Sequence, residues 1–426
     1  MADPELWYRI GSAQEQAVLE KYKGAYQGLV IPAHILAWGR AWVTGLLTRL
    51  AKPFLIDPMT YVFSQSSDLI KGEKEVKKSY DALLKFYGED FSKLVRRRPV
   101  RPTDLIDERG AGTPLLRDFV SKVVDFELDV HQSKSPSQQS LDKYRQLLGE
   151  ESLLGTLEPS TLLAPYFHFS DEDDPWFKVN RLLVRESLRR KRRLSVQAVI
   201  ATSSSWLQSV DWIRVSRGFG DVEGVVLWVS GQSEAKRSVA ELTSLKHTVR
   251  ELHHNGLKVH LMHAGYYSLC MAVVGASRLT SGIGYGESKE LTAKPTGGGF
   301  PPRYYLDLVK QQSSLENIRT LLSDQPTLLC GCTACSTARR AAGIKPGAKP
   351  TLEKLESFFE NMDDDDFRGH YVQSRFQESQ QIGKSEARQV SAQLAKLYDA
   401  STKLKLDNYR LPYRHLKNWL DALSAP

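Results

Sequence analysis

Three cysteines crowd into six residues, Cys330-Gly331-Cys332-Thr333-Ala334-Cys335. Thiolates at C-x-C-x2-C spacing can take three corners of a tetrahedron around Zn2+, and the small residues between them let the chain curl round an ion. Neighbouring thiols in a chain with no disulfide framework are read as metal ligands. A structural site needs a fourth ligand. The next histidine is His370, which opens the helical pattern HYVQSRFQES. His415 and nearby carboxylates compete for the role, and His370 is the preferred candidate. The fourth cysteine, Cys270 in SLCMAV, reads as a buried apolar residue.

Apolar, β-branched runs that could position such chemistry recur at residues 28–34, 53–57, 162–167, 196–201, 211–216, 224–230, 258–263 and 277–282. Helical patterns separate several of them, over residues 68–97, 175–193, 233–255 and 268–274. Continuous apolar strands alternating with helices predict an α/β fold, a (β/α)8 TIM barrel. About 100 residues separate the second and third runs, too many for one crossover. A helical insertion is therefore expected at about 70–160. The barrel is expected to span 1–320, and a zinc-binding, helical C-terminal region 321–426. Chemistry in such a barrel sits at the C-terminal strand ends. Those ends read His34, Asp57, Tyr166 or His168, Thr202, Ser216, Ser230 with Gly231, His263 and Ser281.

Charge and composition narrow the partners. Apolar residues make up 41% and charged residues 25%, which excludes a disordered or collagen-like chain. No run approaches the ~18 apolar residues of a membrane span, and the acidic start MADPELWYRI is unlike a secretory signal. A cytoplasmic protein with no membrane partner is expected. The net charge is +8, compatible with a polyanion. Two basic runs stand out: Arg96, Arg97, Arg98 and Arg101, and then Arg189, Arg190, Lys191, Arg192 and Arg193. Either can contact phosphates or be a solvated surface. Arg189, Arg190, Arg192 and Arg193, with Arg303, are the candidate nucleic-acid backbone contacts.

A barrel with C-x-C-x2-C and a downstream histidine on a helix resembles the tRNA-guanine transglycosylase superfamily. PFLIDPMTYVFSQ is similar to the family strand that delivers an Asp into the base pocket, followed by an aromatic residue and a Gln. Asp57, Phe63 and Gln65 hold those places. GVVLWVSGQ and KVHLMHAGYYSLCMAVVGASRLTSG resemble the strands that line the pocket and bear the nucleophile. The resemblance covers roughly residues 25–380. It implies exchange of guanine in a polynucleotide for a 7-deazaguanine base, through attack of an Asp on the ribose carbon, with structural Zn2+. It implies Asp57 as the acid that reads the base, and Phe63, Gln65, Ser230, Gly231 and Tyr285 as base-binding residues. The family nucleophile is missing: Arg278-Leu279-Thr280-Ser281-Gly282 stands there, and Glu287 is the nearest carboxylate.

Glu287 is the candidate substitute nucleophile or base, assisted by His263. The Pro-Thr-Arg signature of tRNA-acting members is also absent, so DNA is preferred over tRNA. The segment GIGYGES followed by PTGGGFPPRYY can cradle a phosphate or act as a lid. Alternatives are a catalytically inactive, nucleic-acid-binding subunit and a base-excising glycosylase. A homodimer or a partner subunit fits either. As a pocket residue, Asp57 is expected to tolerate Asn with little loss of stability.

Overall fold

The computed structural model describes residues 4–65, 76–130, 143, 157–208, 212–231, 233–283, 287–291, 301–345 and 348–425. Eight parallel strands form one sheet in the order β3-β2-β1-β8-β7-β6-β5-β4. They are β1 (Glu5–Arg9), β2 (Gly28–Pro32), β3 (Phe54–Asp57), β4 (Leu162–Leu163), β5 (Val196–Ser203), β6 (Gly224–Ser230), β7 (Lys258–Met262) and β8 (Ala276–Gly282). The β1–β8 ladder bends the sheet into a nearly closed (β/α)8 barrel. Its seam lies between β3 and β4, where the Ser160 amide donates to the Phe54 carbonyl at 2.9 Å. Higher on the seam Thr60 Oγ1 donates to the Tyr166 carbonyl and accepts from the Tyr166 amide.

Two strands differ from the sequence expectation. The first strand is ELWYR, inside the polar-looking N-terminus. It was hidden because Arg9 interrupts the apolar run, yet Leu6, Trp7 and Tyr8 are all buried. The run at 211–216 belongs to a helix, Trp212–Gly218. The buried positions Val215, Ser216 and, just past its end, Phe219 recur at helical spacing, with Arg214 exposed before them and Arg217 exposed between them. The helical insertion consequently follows β3, the third strand. Of the pattern at 68–97, residues 68–75 lie outside the described residues, and the rest holds two helices, Lys78–Leu84 and Glu89–Arg97, broken at Gly88, whose φ of +96° suits glycine. Helices Pro102–Leu105 and Pro114–Leu128 complete the described insertion.

The barrel fills its own interior. Trp7 lies inside it, and a Cβ on Gly28 of the neighbouring strand would sit 2.4 Å from the Trp7 ring. His260 Nε2 meets Thr280 Oγ1 at 2.7 Å on the same inner face. Side chains alternate along a strand. Trp7 and Arg9 therefore face inward, while Tyr8 and its neighbour Ser281 face outward.

After β8 the chain forms a hairpin of β9 (Arg303–Leu306) and β10 (Gln311–Ser314), then helices including Thr333–Ala341, Leu352–Glu360 and Asp364–Gly383. The last helix, His415–Ser424, returns to the barrel. Trp419 packs on Tyr266 and donates through Nε1 to the Glu234 carbonyl at 3.2 Å.

Candidate functional site: a barrel mouth and a Cys3His cluster

Asp57 ends β3 at the C-terminal mouth and is 1% exposed. Its Oδ2 pairs with Arg9 Nη2 at 3.2 Å, across the lumen from β1. Its Oδ1 accepts from the Tyr166 hydroxyl at 2.9 Å and the Met59 amide at 3.1 Å. The Met59 backbone, at φ 57°, bends the chain back so that this amide can reach the carboxylate. A buried carboxylate with three donors is fixed in direction, and Oδ2 still has acceptor capacity.

Aromatic rings surround this carboxylate. Tyr61 stacks on Tyr166 at 5.7 Å and meets Trp228 of β6 edge-on at 4.7 Å. Lys289 reaches over both rings, with Nζ 4.9 Å from the Tyr61 centroid and 5.4 Å from that of Trp228. The segment carrying it is pinned at the rim: the Leu291 amide donates to Ser230 Oγ, and Trp228 Nε1 donates to the Lys289 carbonyl. Burial, with Arg9 beside it, pushes the Lys289 amine down to about 7 against the pull of Asp57. His34 follows β2 and stacks on Tyr80 at 4.9 Å. Burial, then Arg9 and Lys289, push it down to about 3, so it is neutral at pH 7. The mouth thus combines one fixed ion pair, a near-neutral amine and a wall of rings.

The other expected residues divide. Glu287 turns away from Asp57, to the outer side of β8. Its Oε1 accepts from the Tyr371 hydroxyl at 2.8 Å and lies 3.9 Å from Arg375 Nε. Tyr371 also reaches Ser281 Oγ at 3.4 Å. Burial pushes the Glu287 carboxyl up to about 7, against the pull of Arg375 and the Tyr371 hydrogen bond. Glu287 and His263 line a cavity of about 20 Å³ with Glu234, Arg237 and Ser268, room for roughly one water. Phe63 is fully buried among Tyr80, Tyr87 and Phe91 and serves the insertion's core. Gln65 Nε2 is held by Ser64 Oγ, and Gly231 makes the turn after β6 at φ +120°. Tyr285 lies outside the described residues.

The arginines of the second basic run lie away from the mouth. Helix Pro175–Arg190 descends from the top of β4 to the start of β5. Arg189, Arg190, Arg192 and Arg193 therefore sit at the base of the barrel, opposite the mouth. Arg193 pairs there with Glu158, just before β4, Arg190 donates to Ser121, and Arg189 pairs with Glu186. Arg303 is exposed at the start of β9.

Cys330, Cys332, Cys335 and His370 come together as expected, with all four ligand atoms within 4.8 Å of one another. His370 Nδ1 lies 3.4 Å from Cys332 Sγ and 3.5 Å from Cys335 Sγ. Ligands about 2.0–2.3 Å from a tetrahedral ion stand roughly 3.5–3.8 Å apart, so these atoms fit one. His370 Nε2 donates to the Tyr305 carbonyl at 2.8 Å, which leaves Nδ1 as the ligating nitrogen. Tyr304 stacks on His370 at 4.2 Å, and its hydroxyl accepts from the Cys330 amide and faces Cys335 Sγ at 3.4 Å. Cys332 caps helix Thr333–Ala341, whose N-terminal dipole favours thiolates. His415 is not part of this group; its Nε2 faces the Val309 carbonyl.

One helix joins the two regions. Asp364–Gly383 carries His370 to the cluster, and Tyr371, Arg375 and Glu378 to the barrel wall. Arg375 donates to the Gly265 carbonyl and pairs with Glu378 at 2.9 Å. Glu378 also takes Lys310 at 3.1 Å and the Tyr305 hydroxyl at 2.8 Å.

Arg9, Tyr61, Trp228 and Lys289 were not singled out from the sequence. Trp228 stands in a continuous apolar run, Val225 to Val229, whose sequence carries no alternation to say which side chains face inward. Arg9 could be found only once its strand was recognised.

No family model matches the chain, and no curated protein matches it. Among solved structures it is similar to a type I 3-dehydroquinate dehydratase from Clostridium difficile with covalently modified comenic acid. That match has 9% identity over 68% of this chain and 89% of that one, with a TM-score of 0.34. It is also similar to a GH10 endoxylanase retrieved from a sugarcane soil metagenome, at 8% identity over 62% and 67%, with a TM-score of 0.27.

Proposed function

We propose that the mouth holds a purine-type base of a polynucleotide, DNA in preference to tRNA, in the manner of the tRNA-guanine transglycosylase superfamily. The observation that carries the reading is Asp57, clamped by Arg9, Tyr166 and Met59 at a strand end among Tyr61, Tyr166 and Trp228. Rings bind a planar heterocycle by its faces, and a directed carboxylate accepts from its N–H edge. A base reaches such a mouth only after leaving its stack.

Base exchange needs a nucleophile at the ribose carbon. Glu287 is engaged by Tyr371 and Arg375 on the outer wall, which favours the non-catalytic, base-binding form of this function over exchange. A second reading, base excision, is favoured by Lys289. An amine unprotonated near pH 7 can attack the sugar carbon as the glycosidic bond breaks and the base leaves with a proton. We also infer that the Cys3His group holds Zn2+ in a structural role, since four protein ligands leave no open position.

Incubation with duplex DNA, single-stranded DNA and tRNA, with and without a 7-deazaguanine base, separates these readings by nucleoside mass spectrometry. Incorporated 7-deazaguanine means exchange. Released guanine, with a borohydride-trapped adduct on Lys289, means excision. Saturable guanine binding without turnover means a binding subunit. The absence of both binding and turnover refutes the proposal.

A further inference from the structure

We propose that the polynucleotide runs over the insertion side of the mouth, with Trp38 stacking a base next to the one held inside and Arg97 and Arg101 taking its phosphates. This rests on the base-binding reading above and adds the track to it. Trp38 is 60% exposed, the most exposed large apolar side chain among the described residues. Leaving a tryptophan in water forgoes a large burial gain, so its position matters. Trp38 follows His34 by four residues in helix Ala33–Trp38, and thus lies on the same face one turn on. His34, the residue two past the end of β2, stacks on Tyr80 and lies in the field of Arg9, Lys289 and Asp57. The exposed indole thus lies one helical turn beyond the His34–Tyr80 stack, on the first helix after β2. The helix packs on helix Lys78–Leu84, which brings exposed Lys78 to this side.

The first basic run lies at the same end. The Val100 amide donates to the Phe63 carbonyl at 2.9 Å, just past the top of β3, and the Tyr87 hydroxyl donates to the Pro58 carbonyl. Within this run Arg96 pairs with Asp81, and Arg98 holds Asp104 at 2.6 Å. Arg97 and Arg101 are exposed. Exposed guanidinium groups and an exposed ring are the two elements of a single-strand track: cations for the backbone, a face for the bases. The base-end run Arg189–Arg193 is on the wrong end to serve a base bound in the mouth.

The test uses the full chain and a fluorescently labelled single-stranded heptamer with one central guanine, beside free guanine. Trp38→Ala is expected to weaken heptamer binding about ten-fold or more and leave guanine affinity unchanged, with Trp38→Phe retaining most of it. Arg97→Ala with Arg101→Ala should lower the slope of log K against log salt by about 1.4, at roughly 0.7 per phosphate contact. Changing Arg189, Arg190, Arg192 and Arg193 to Ala should leave that slope unaltered. The track is overturned if the parent binds the heptamer and Trp38→Ala binds it within two-fold. It is equally overturned if the base-end variant carries the salt effect, or if Trp38→Ala instead dissociates a homodimer in sedimentation. Should the parent bind neither guanine nor heptamer, the base-binding reading falls and takes the track with it.

Discussion

The Cys3His cluster and the barrel mouth are built on opposite plans. The cluster draws three ligands from one turn and the fourth from a helix 35 residues on, and its geometry follows from ligand chemistry alone. The mouth draws Arg9 from β1, Asp57 from β3, Trp228 from β6 and Lys289 from beyond β8. No local spacing joins those four. Only the barrel's closure does, through a β1–β8 ladder that depends on a strand in the first ten residues. A site made by covalent neighbours is stable to errors in topology; a site made by strand ends is not.

Removing a thiolate should therefore break the cluster outright. Cys335→Ser is expected to abolish stoichiometric metal and lower the melting temperature by more than 10 °C, because structural zinc contributes roughly 10–16 kcal/mol of binding energy in small zinc modules. Elemental analysis and a thermal melt check this. Retention of one metal per chain in the variant would show that the cysteines are not the ligands. The damage should spread to the barrel wall, since His370 shares its helix with Tyr371 and Arg375.

The mouth should respond less, but more than the sequence suggested. Asp57→Asn keeps the shape and removes the charge, leaving Arg9 as an uncompensated buried cation. Breaking one partner of a buried pair costs about 3–5 kcal/mol. The expectation that Asn would be tolerated without loss of stability rested on a half-exposed pocket residue. At 1% exposure, paired to Arg9, Asp57 also supports the barrel. A urea titration of the parent and variant measures the cost. A difference below about 0.5 kcal/mol would mean that the Arg9 pair is screened by water that enters the mouth.

Glu287 sharpens the comparison through pH. Its carboxyl is raised to about 7 in the folded chain, mainly by burial. Below the ordinary range near 4.5 it is protonated in both states and imposes no cost. As pH rises through 4.5 the unfolded chain ionises first, so the folded state loses relative stability until pH passes about 7. Glu287→Gln removes this penalty. The variant should match the parent near pH 4 and exceed it above pH 7, by at most about 3 kcal/mol on a 1.36 kcal/mol-per-unit scale. A parent more stable than Glu287→Gln at pH 8 would mean that the pair with Arg375 outweighs burial.

Much of this was legible in the sequence, for identifiable reasons. Apolar β-branched runs at 196–201, 224–230 and 258–263 gave three strands because they are buried on both faces. The helical pattern at 233–255 is the helix Val239–His254, whose start a capping box of Ser238 and Glu241 fixes in the structure. DWIRVS failed because six residues satisfy a two-residue and a helical period equally, and Phe219, which decides for the helix, lies past the run. Asp57 was correctly placed at a strand end. Glu287 is the nearest carboxylate in sequence to the place of the missing nucleophile, but the chain after β8 turns Glu287 out to Tyr371 and Lys289 in to Trp228. The two basic runs were indistinguishable by composition. Only the direction of helix Pro175–Arg190 assigns one to the base of the barrel.

The central claim is that Asp57 gives the mouth its affinity for a base. Isothermal titration of guanine into the parent and into Asp57→Asn, at pH 7 and a temperature where both are folded, tests it directly. The account predicts saturable binding by the parent and a loss of at least fifty-fold in the variant, since the charge-assisted acceptor that Oδ2 offers to the N–H edge of the base is removed. Equal affinities, or no binding by the folded parent, would contradict it.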